Sequence, residues 1–267
     1  MFSLEYDFQD QNRNWSGSSK APAANNPDKE IRTNFLTAGL LYMFNQSWGV
    51  SVELPFANRL FTTTGGATGN EIVTENWTTI GDMRVKGVYT GFSPDMTTGV
   101  DLGLKLPTGN WKYNDAYGDV DRDSEIGTGS VDFLVGGFHR QKLTPDFKWS
   151  WITEVDADMP AFTQDGYRPG LQFDEATGIQ FNGWSTPQQS FKPSLQIKAS
   201  ERTRDSGWAS ASPVASGYER ILIAPGVEID LHPVMIYADI EIPVFAHVNG
   251  NQLVAPALFK VSAGYMF

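Results

Sequence analysis

The chain of 267 residues carries 31 acidic and 20 basic side chains, a net charge of -11, and no cysteine. That balance excludes the phosphate-gripping surface of a nucleic-acid binder, and the missing cysteine excludes disulfides and thiolate metal centres. No apolar run approaches the roughly 20 residues of a membrane helix. Ordinary mean hydropathy leaves a membrane β-barrel open, because its strands alternate lipid-facing and lumen-facing residues.

The opening stretch, "MFSLEYDF", begins directly in alternation, so no signal peptide is expected at this start. Phe2, Leu4, Tyr6 and Phe8 share one strand face, and Ser3, Glu5, Asp7 and Gln9 the other. The same period of two recurs along the chain: Val50, Val52, Leu54 and Phe56; Met83, Val85 and Tyr89; Val100, Leu102, Leu104 and Leu106; Phe147, Trp149, Trp151 and Val155. Strands are predicted near 2–10, 31–44, 48–56, 77–91, 97–107, 129–140, 147–158, 167–182, 191–204, 218–231, 235–246 and 255–267. Helical periodicity is nearly absent.

The connections sort themselves by length. Short ones at 45–47, 93–96, 144–146, 185–189 and 232–233 alternate with longer polar segments at 11–30, 57–76, 108–128, 159–166, 205–217 and 247–254. Tight periplasmic turns alternating with longer external loops are the mark of an outer-membrane barrel. Phe44, Trp48, Tyr89, Phe92, Phe147, Trp149, Phe191, Tyr265 and Phe267 fall near the short-turn ends, where a periplasmic aromatic girdle belongs. The expected fold is therefore all-β: a transmembrane, antiparallel, up-and-down barrel of twelve strands. It fills residues 1–267 as one domain, since no linker or composition shift marks a boundary. The last strand must close against the first, and Phe259, Val261, Tyr265 and Phe267 read as an assembly signal, a final strand of alternating apolar residues ending on an aromatic.

Several stretches resemble a family of bacterial outer-membrane channels associated with phenol degradation. They are "IGDMRVKGVY" (80–89), "LGLKLPTGN" (102–110), "IGTGSVDFLVGG" (126–137), "YRPGLQF" (167–173), "LQIKASERTRDSG" (195–207), "APGVEIDL" (224–231) and "YADIEIPVFAHVNGNQL" (237–253). The resemblance covers residues 80 to 267, and the first third rests on pattern alone. It implies a barrel that passes small, often aromatic or hydrophobic compounds, and it brings no catalytic or ligand residues with it.

The inward faces carry both signs of charge. Asp82, Asp101, Glu154, Asp156, Glu228, Asp230, Asp239 and Glu241 are the acidic pore-lining candidates, and Arg84, Lys86, Lys105, Lys192 and Lys198 the basic ones, with Lys260 on the same inward set. Buried charge must be hydrated or paired, so these residues line a watery pore or form a salt-bridged filling. Arg84, Lys86 and Lys105, close together on neighbouring strands, favour the pore. Asp119, Asp121, Asp123 and Glu125 recur at every second position and offer oxygen ligands for Ca²⁺, but Ser124 stands where an EF-hand-like loop has glycine. His139, His232 and His247 are scattered, and only His247 sits on the outer rim with no nucleophile marked beside it, so no enzyme is expected.

Glu175 fits poorly. It shares a face with Leu171, Phe173, Ile179 and Phe181, and a carboxylate facing lipid is unfavourable. Either a bulge resets the register there or the patch meets a protein partner. With no N-terminal plug expected, the sequence points to a passive diffusion channel for small molecules. The alternative is a non-conducting barrel that anchors a surface or periplasmic partner by its loops. Its surroundings would be the lipid bilayer, lipopolysaccharide and the outer-membrane assembly machinery, without nucleic acid.

Overall fold

In a computed structural model that describes residues 1–65, 68–114, 120–186, 189–210 and 212–267, the alternating stretches form one antiparallel sheet closed on itself. The twelve barrel strands are β1 (Phe2–Gln11), β2 (Asp28–Met43), β3 (Trp48–Gly65), β4 (Glu71–Ile80 and Met83–Tyr89), β5 (Thr98–Leu106) and β6 (Ser130–Lys142). They continue as β7 (Trp149–Thr163), β8 (Gln172–Phe181), β9 (Ser190–Arg202), β10 (Tyr218–Leu231), β11 (Val234–Val254) and β12 (Leu258–Tyr265). Each pairs with its chain neighbours, and β12 pairs with β1 through Phe2–Tyr265, Leu4–Ala263, Tyr6–Val261 and Phe8–Phe259. Closure satisfies every strand's backbone laterally, which lipid demands because an unpaired peptide group costs several kcal/mol there. No helix among the described residues is long and apolar enough to cross a membrane.

Three differences from the expected strands have physical causes. The fourth strand is not continuous over 77–91: Gly81 and Asp82 interrupt it, and both halves pair with β3. β3 and β11 run further outward than the lipid-facing pattern suggests, to Gly65 and Val254. Above Phe56 the outward face turns polar, with Asn58 Nδ2 donating to Asn76 (2.7 Å) and Thr78 (2.9 Å), so apolar alternation could not mark it. The segment 11–30, expected to be a loop, contains a hairpin (Arg13–Gly17 and Ser19–Lys20) that adds onto the extension of β11.

Side-chain parity fixes the two surfaces. Outward stand Leu4, Leu36, Leu40, Leu102, Leu195, Ile197 and Val261, all exposed. At the short-turn end the exposed aromatics touch one another in series: Tyr42–Phe44, Trp48–Tyr89–Phe92 and Trp149–Phe181–Trp184–Phe191, with centroids 4.7–5.7 Å apart. Phe259, Val261 and Tyr265 lie on the outward face of β12, and Phe267 is exposed just beyond it.

Candidate functional site: the lumen

The strand period that turns hydrocarbon outward turns charge inward. On β4 to β7, Lys86 Nζ lies 3.0 Å from Asp101 and 3.2 Å from Asp156. Lys105 pairs with Asp132 and, at 3.4 Å, with Asp158, which Arg84 also meets at 3.5 Å. Gly136 makes one of these crossings possible: a Cβ there would stand 2.5 Å from an Asp101 carboxylate oxygen. Lys192 holds Glu228 at 2.6 Å, and Arg140 approaches the same carboxylate at 3.9 Å while donating to Gln180. Lys198 sits 2.6 Å from both Asp239 and Glu241, and Lys260 holds Glu5 (3.3 Å) and Asp7 (3.6 Å). These pairs form a ladder on the wall, in which most lysines are shared between two carboxylates.

Glu154 differs from the ladder. It projects into the lumen with no hydrogen bond or ion pair among the described residues, while Lys86 and Lys260 both act on it electrostatically. Its strand, β7, lies across the barrel from β12, which carries Lys260, so charge from two walls converges on this level.

The external end is narrowed differently. Of the segment 108–128, expected to be an external loop, the described residues 108–114 and 120–128 fold back inside the extended β2–β4 wall. Tyr113 stacks on Trp77 with centroids 4.7 Å apart and planes at 10°. Phe61, Trp77 and Val120 form a buried cluster, flanked by Ile31, Tyr113 and Ile126. Arg59 donates to Thr33 Oγ1 (3.0 Å) and to the carbonyls of Ser124 (2.6 Å) and Glu125 (3.1 Å), pinning the loop from beneath. The two stems touch so closely that a Cβ at Gly127 would stand 2.6 Å from the Gly109 carbonyl carbon.

Asp82 belongs to this loop and not to the pore lining expected of it. Only 6% exposed, it accepts from Gly109 N (3.0 Å), Thr128 N (2.8 Å) and Thr128 Oγ1 (2.6 Å). Interrupting β4 at Gly81–Asp82 frees the carboxylate to face the loop stems. Asp230 keeps the inward parity expected of it, in register with Ser190 and Met235, and accepts from His232 N (3.1 Å), which orders the short turn. The remaining expected charges stand on the lumen side. Parity also placed Asp132, Asp158 and Asp174 there, a signal that would have found them.

Around the mouth, Tyr167 donates to Asp205 Oδ2 (3.0 Å), and Asp205 also accepts from Gly170 N (2.8 Å) and Arg202 (2.6 Å). Burial, with Asp205 adjoining, pushes the Tyr167 phenol up. Arg122 stacks over Tyr167 at 5.0 Å and Lys112 meets Asp165 at 2.6 Å, tying the inward loop to its neighbour. Burial and the charges of Asp121, Asp205 and Asp28 push the Asp123 carboxyl up to about 6.

Of the carboxylates considered for Ca²⁺, Asp119 lies outside the described residues. Glu125 Oε1 accepts from Tyr113 N at 2.7 Å, and among the described residues no three His, Asp or Glu side chains converge to hold a metal ion. His247 accepts or donates a 2.9 Å hydrogen bond with Ser18 that fastens the hairpin to β11. Glu175 keeps unbroken register with Val155 and Ala199, so no bulge rescues it and it stands exposed on the outward face. The register shifts among the described residues fall elsewhere, between Pro160 and Phe162, between Ile221 and Leu222, between Asp28 and Glu30, and between Val248 and Asn251.

Past the ladder and the inward loop, both of which line it, runs one cavity of about 2330 Å³, lined at one end by Asp95, Met96 and Thr97 of a short turn and at the other by Asn25, Asn26 and Ala215 of the long loops. A closed twelve-stranded barrel with apolar outer wall, aromatic girdle and charged water-accessible interior has the fold of the outer-membrane β-barrels. No family model and no curated protein matches the sequence. Among solved structures, an outer-membrane channel from Pseudomonas putida F1 is similar with a TM-score of 0.69 at 12% identity, over 100% of this chain and 94% of that one. The β-domain of the Bordetella autotransporter BrkA is similar with a TM-score of 0.60 at 12% identity, over 100% and 98%. What is shared at this identity is the fold.

Proposed function

We propose that the protein is a passive diffusion channel of the bacterial outer membrane. The observation that carries this reading is the continuous cavity that joins short-turn residues to long-loop residues through a charged wall. Among the described residues, the inward loop is held by hydrogen bonds and stacking to the barrel itself and the ladder charges are fixed on strands, which suits passive passage. The apolar lumen residues Phe35, Phe138 and Ile152 suit solutes with a hydrophobic or aromatic body, the class implied by the family resemblance. Insertion would follow recognition of the Phe259–Phe267 segment by the outer-membrane assembly machinery, with lipopolysaccharide meeting the external rim. The test is single-channel recording of the detergent-purified barrel in a planar bilayer. Discrete, reproducible steps support the channel, and silence from protein shown to be folded by heat-modifiable mobility overturns it.

Glu175 favours a second reading, a barrel that docks a protein partner on its wall. Replacing Glu175 with Leu distinguishes the two. A carboxylate that meets only lipid near mid-strand is destabilising, so the variant would gain about 1–3 kcal/mol in urea titrations of the refolded barrel. A partner site would instead show as a complex that the variant fails to form.

A further inference from the structure

We propose that this channel prefers cations, and that its solutes are small organic cations: an ammonium or guanidinium group on a compact hydrophobic body. The proposal rests on the channel reading above and deepens it by naming the solute class.

The sequence drew attention to Arg84, Lys86 and Lys105, a basic cluster that would favour anions if it were free. It is not free. In the ladder described above, seven cations face nine carboxylates, and each of these three basic side chains is engaged by at least one of them. A cation so held presents little net field to a passing ion, since its partners lie 4 Å away or closer while the solute travels further off. What remains is the excess. Glu154 and Asp174 face the lumen without an ion pair among the described residues. Low-dielectric walls focus such uncompensated charge along a narrow passage.

The mouth agrees in sign. Its basic side chains Arg59, Arg122, Arg202 and Arg220 are outnumbered by the carboxylates Asp28, Glu75, Asp121, Asp123, Glu125 and Asp205 lining the same end. Asp28, Asp121 and Asp123 act on one another there, so an entering cation meets a carboxylate-rich rim before it reaches Glu154. Phe138 and Ile152 line the same lumen, and an aromatic face welcomes an alkylated ammonium as readily as it does a neutral ring.

The test is the reversal potential of the single channel under a tenfold KCl gradient. The expected result is a potassium-to-chloride permeability ratio of about three or more. Tetramethylammonium chloride substituted for KCl should still carry current, and potassium benzoate should show the anion contributing little. Glu154→Gln, which removes charge without breaking any hydrogen bond, should lower the ratio by about twofold or more. Conducting channels with a ratio near one or below, or a Glu154→Gln ratio equal to that of the wild type, would overturn the cation proposal while leaving the channel intact. Folded protein that carries no current at all would overturn the channel reading, and this one with it.

Discussion

The lumen is narrowed by two kinds of structure held by different physics. Along the wall, the bore is shaped by side chains rooted in strands: Lys86, Lys105, Lys198 and Lys260 reach sideways to carboxylates on neighbouring strands. Their geometry is set by backbone ladders that cannot shift without breaking the barrel. Toward the long loops, the bore is shaped by a segment of chain that owes its position to one stacked ring pair, a three-residue apolar cluster and a handful of hydrogen bonds. The first narrowing is part of the fold. The second is laid upon it, and can be removed separately.

Removing it should produce the largest effect. Replacing residues 110–127 with a short Gly-Ser bridge leaves every β4–β5 and β5–β6 pair in place, because the strands end outside that range. Single-channel conductance should rise by about twofold or more, with the cation preference lessened by the loss of Asp121 and Asp123 but kept in sign, since the Glu154 level is untouched. If conductance stays at the wild-type value, the strand-borne level alone limits flow and the loop is ornament to permeation.

A single atom group tests the same point more sharply. Asp82→Ala deletes the acceptor for Gly109 N, Thr128 N and Thr128 Oγ1 at once. Orphaning buried donors of this kind costs about 2–4 kcal/mol, all of it local to the loop stems. The barrel should keep its heat-modifiable mobility, while open-channel current becomes noisier as the loop samples looser positions. Asp82→Asn, which can still accept one or two of the three bonds, should fall between. A quiet Asp82→Ala channel would mean that the Trp77–Tyr113 stack and Arg59 hold the loop without help.

These contrasts also explain what was readable in the sequence. Twelve strands, their parity and the order of short and long connections follow from a period of two, which lipid outside and water inside enforce on every residue from Phe2 to Tyr265. The ladder was half legible: parity names Lys105 and Asp101, but that Lys86 crosses to Asp156 depends on a glycine at 136 two strands away. The inward loop was not legible. A polar segment rich in Gly, Asp and Asn reads the same whether it stands in solvent or folds into a watery lumen. Its anchor Phe61 lies in a strand region whose outward face is polar, so the usual alternation is reversed there and reads as loop, while Trp77 reads as the first residue of a strand with no sign of what it stacks on. Asp82 looked like a lumen charge because its parity is right. The interruption of β4, a tertiary event, gives it another use.

A weaker lever on the same loop is pH. Asp123 titrates near about 6 instead of its ordinary 3.8, because burial and the Asp121, Asp205 and Asp28 charges disfavour its ionised form. An acid whose pKa rises on folding keeps its proton in the packed loop at a pH where the released loop has lost it. Packing is therefore firmest below the ordinary value, weakens as pH climbs through the interval between the two, and is constant above about 6. Open-channel noise should grow over that interval and then level off. Asp123→Asn should flatten most of that rise, with the remainder from Asp121 and Asp28, whose carboxyls burial also pushes up, and a variant that keeps the wild-type pH profile would assign the titration to those groups.

The smallest effect is expected at the hairpin on the external rim. There the hairpin of Arg13–Gly17 and Ser19–Lys20 extends the β11 edge, and the Ser18–His247 bond ties its tip down. An exposed hydrogen bond of this kind contributes about 0.5–1 kcal/mol. His247→Ala should expose the hairpin to proteases in the intact protein while leaving conductance and ion preference unchanged, because nothing in that hairpin reaches the Glu154 level. A change in permeation from so remote a site would show that the external rim is mechanically linked across the mouth, and the separation drawn here between a fixed lower level and a removable upper one would have to include the hairpin.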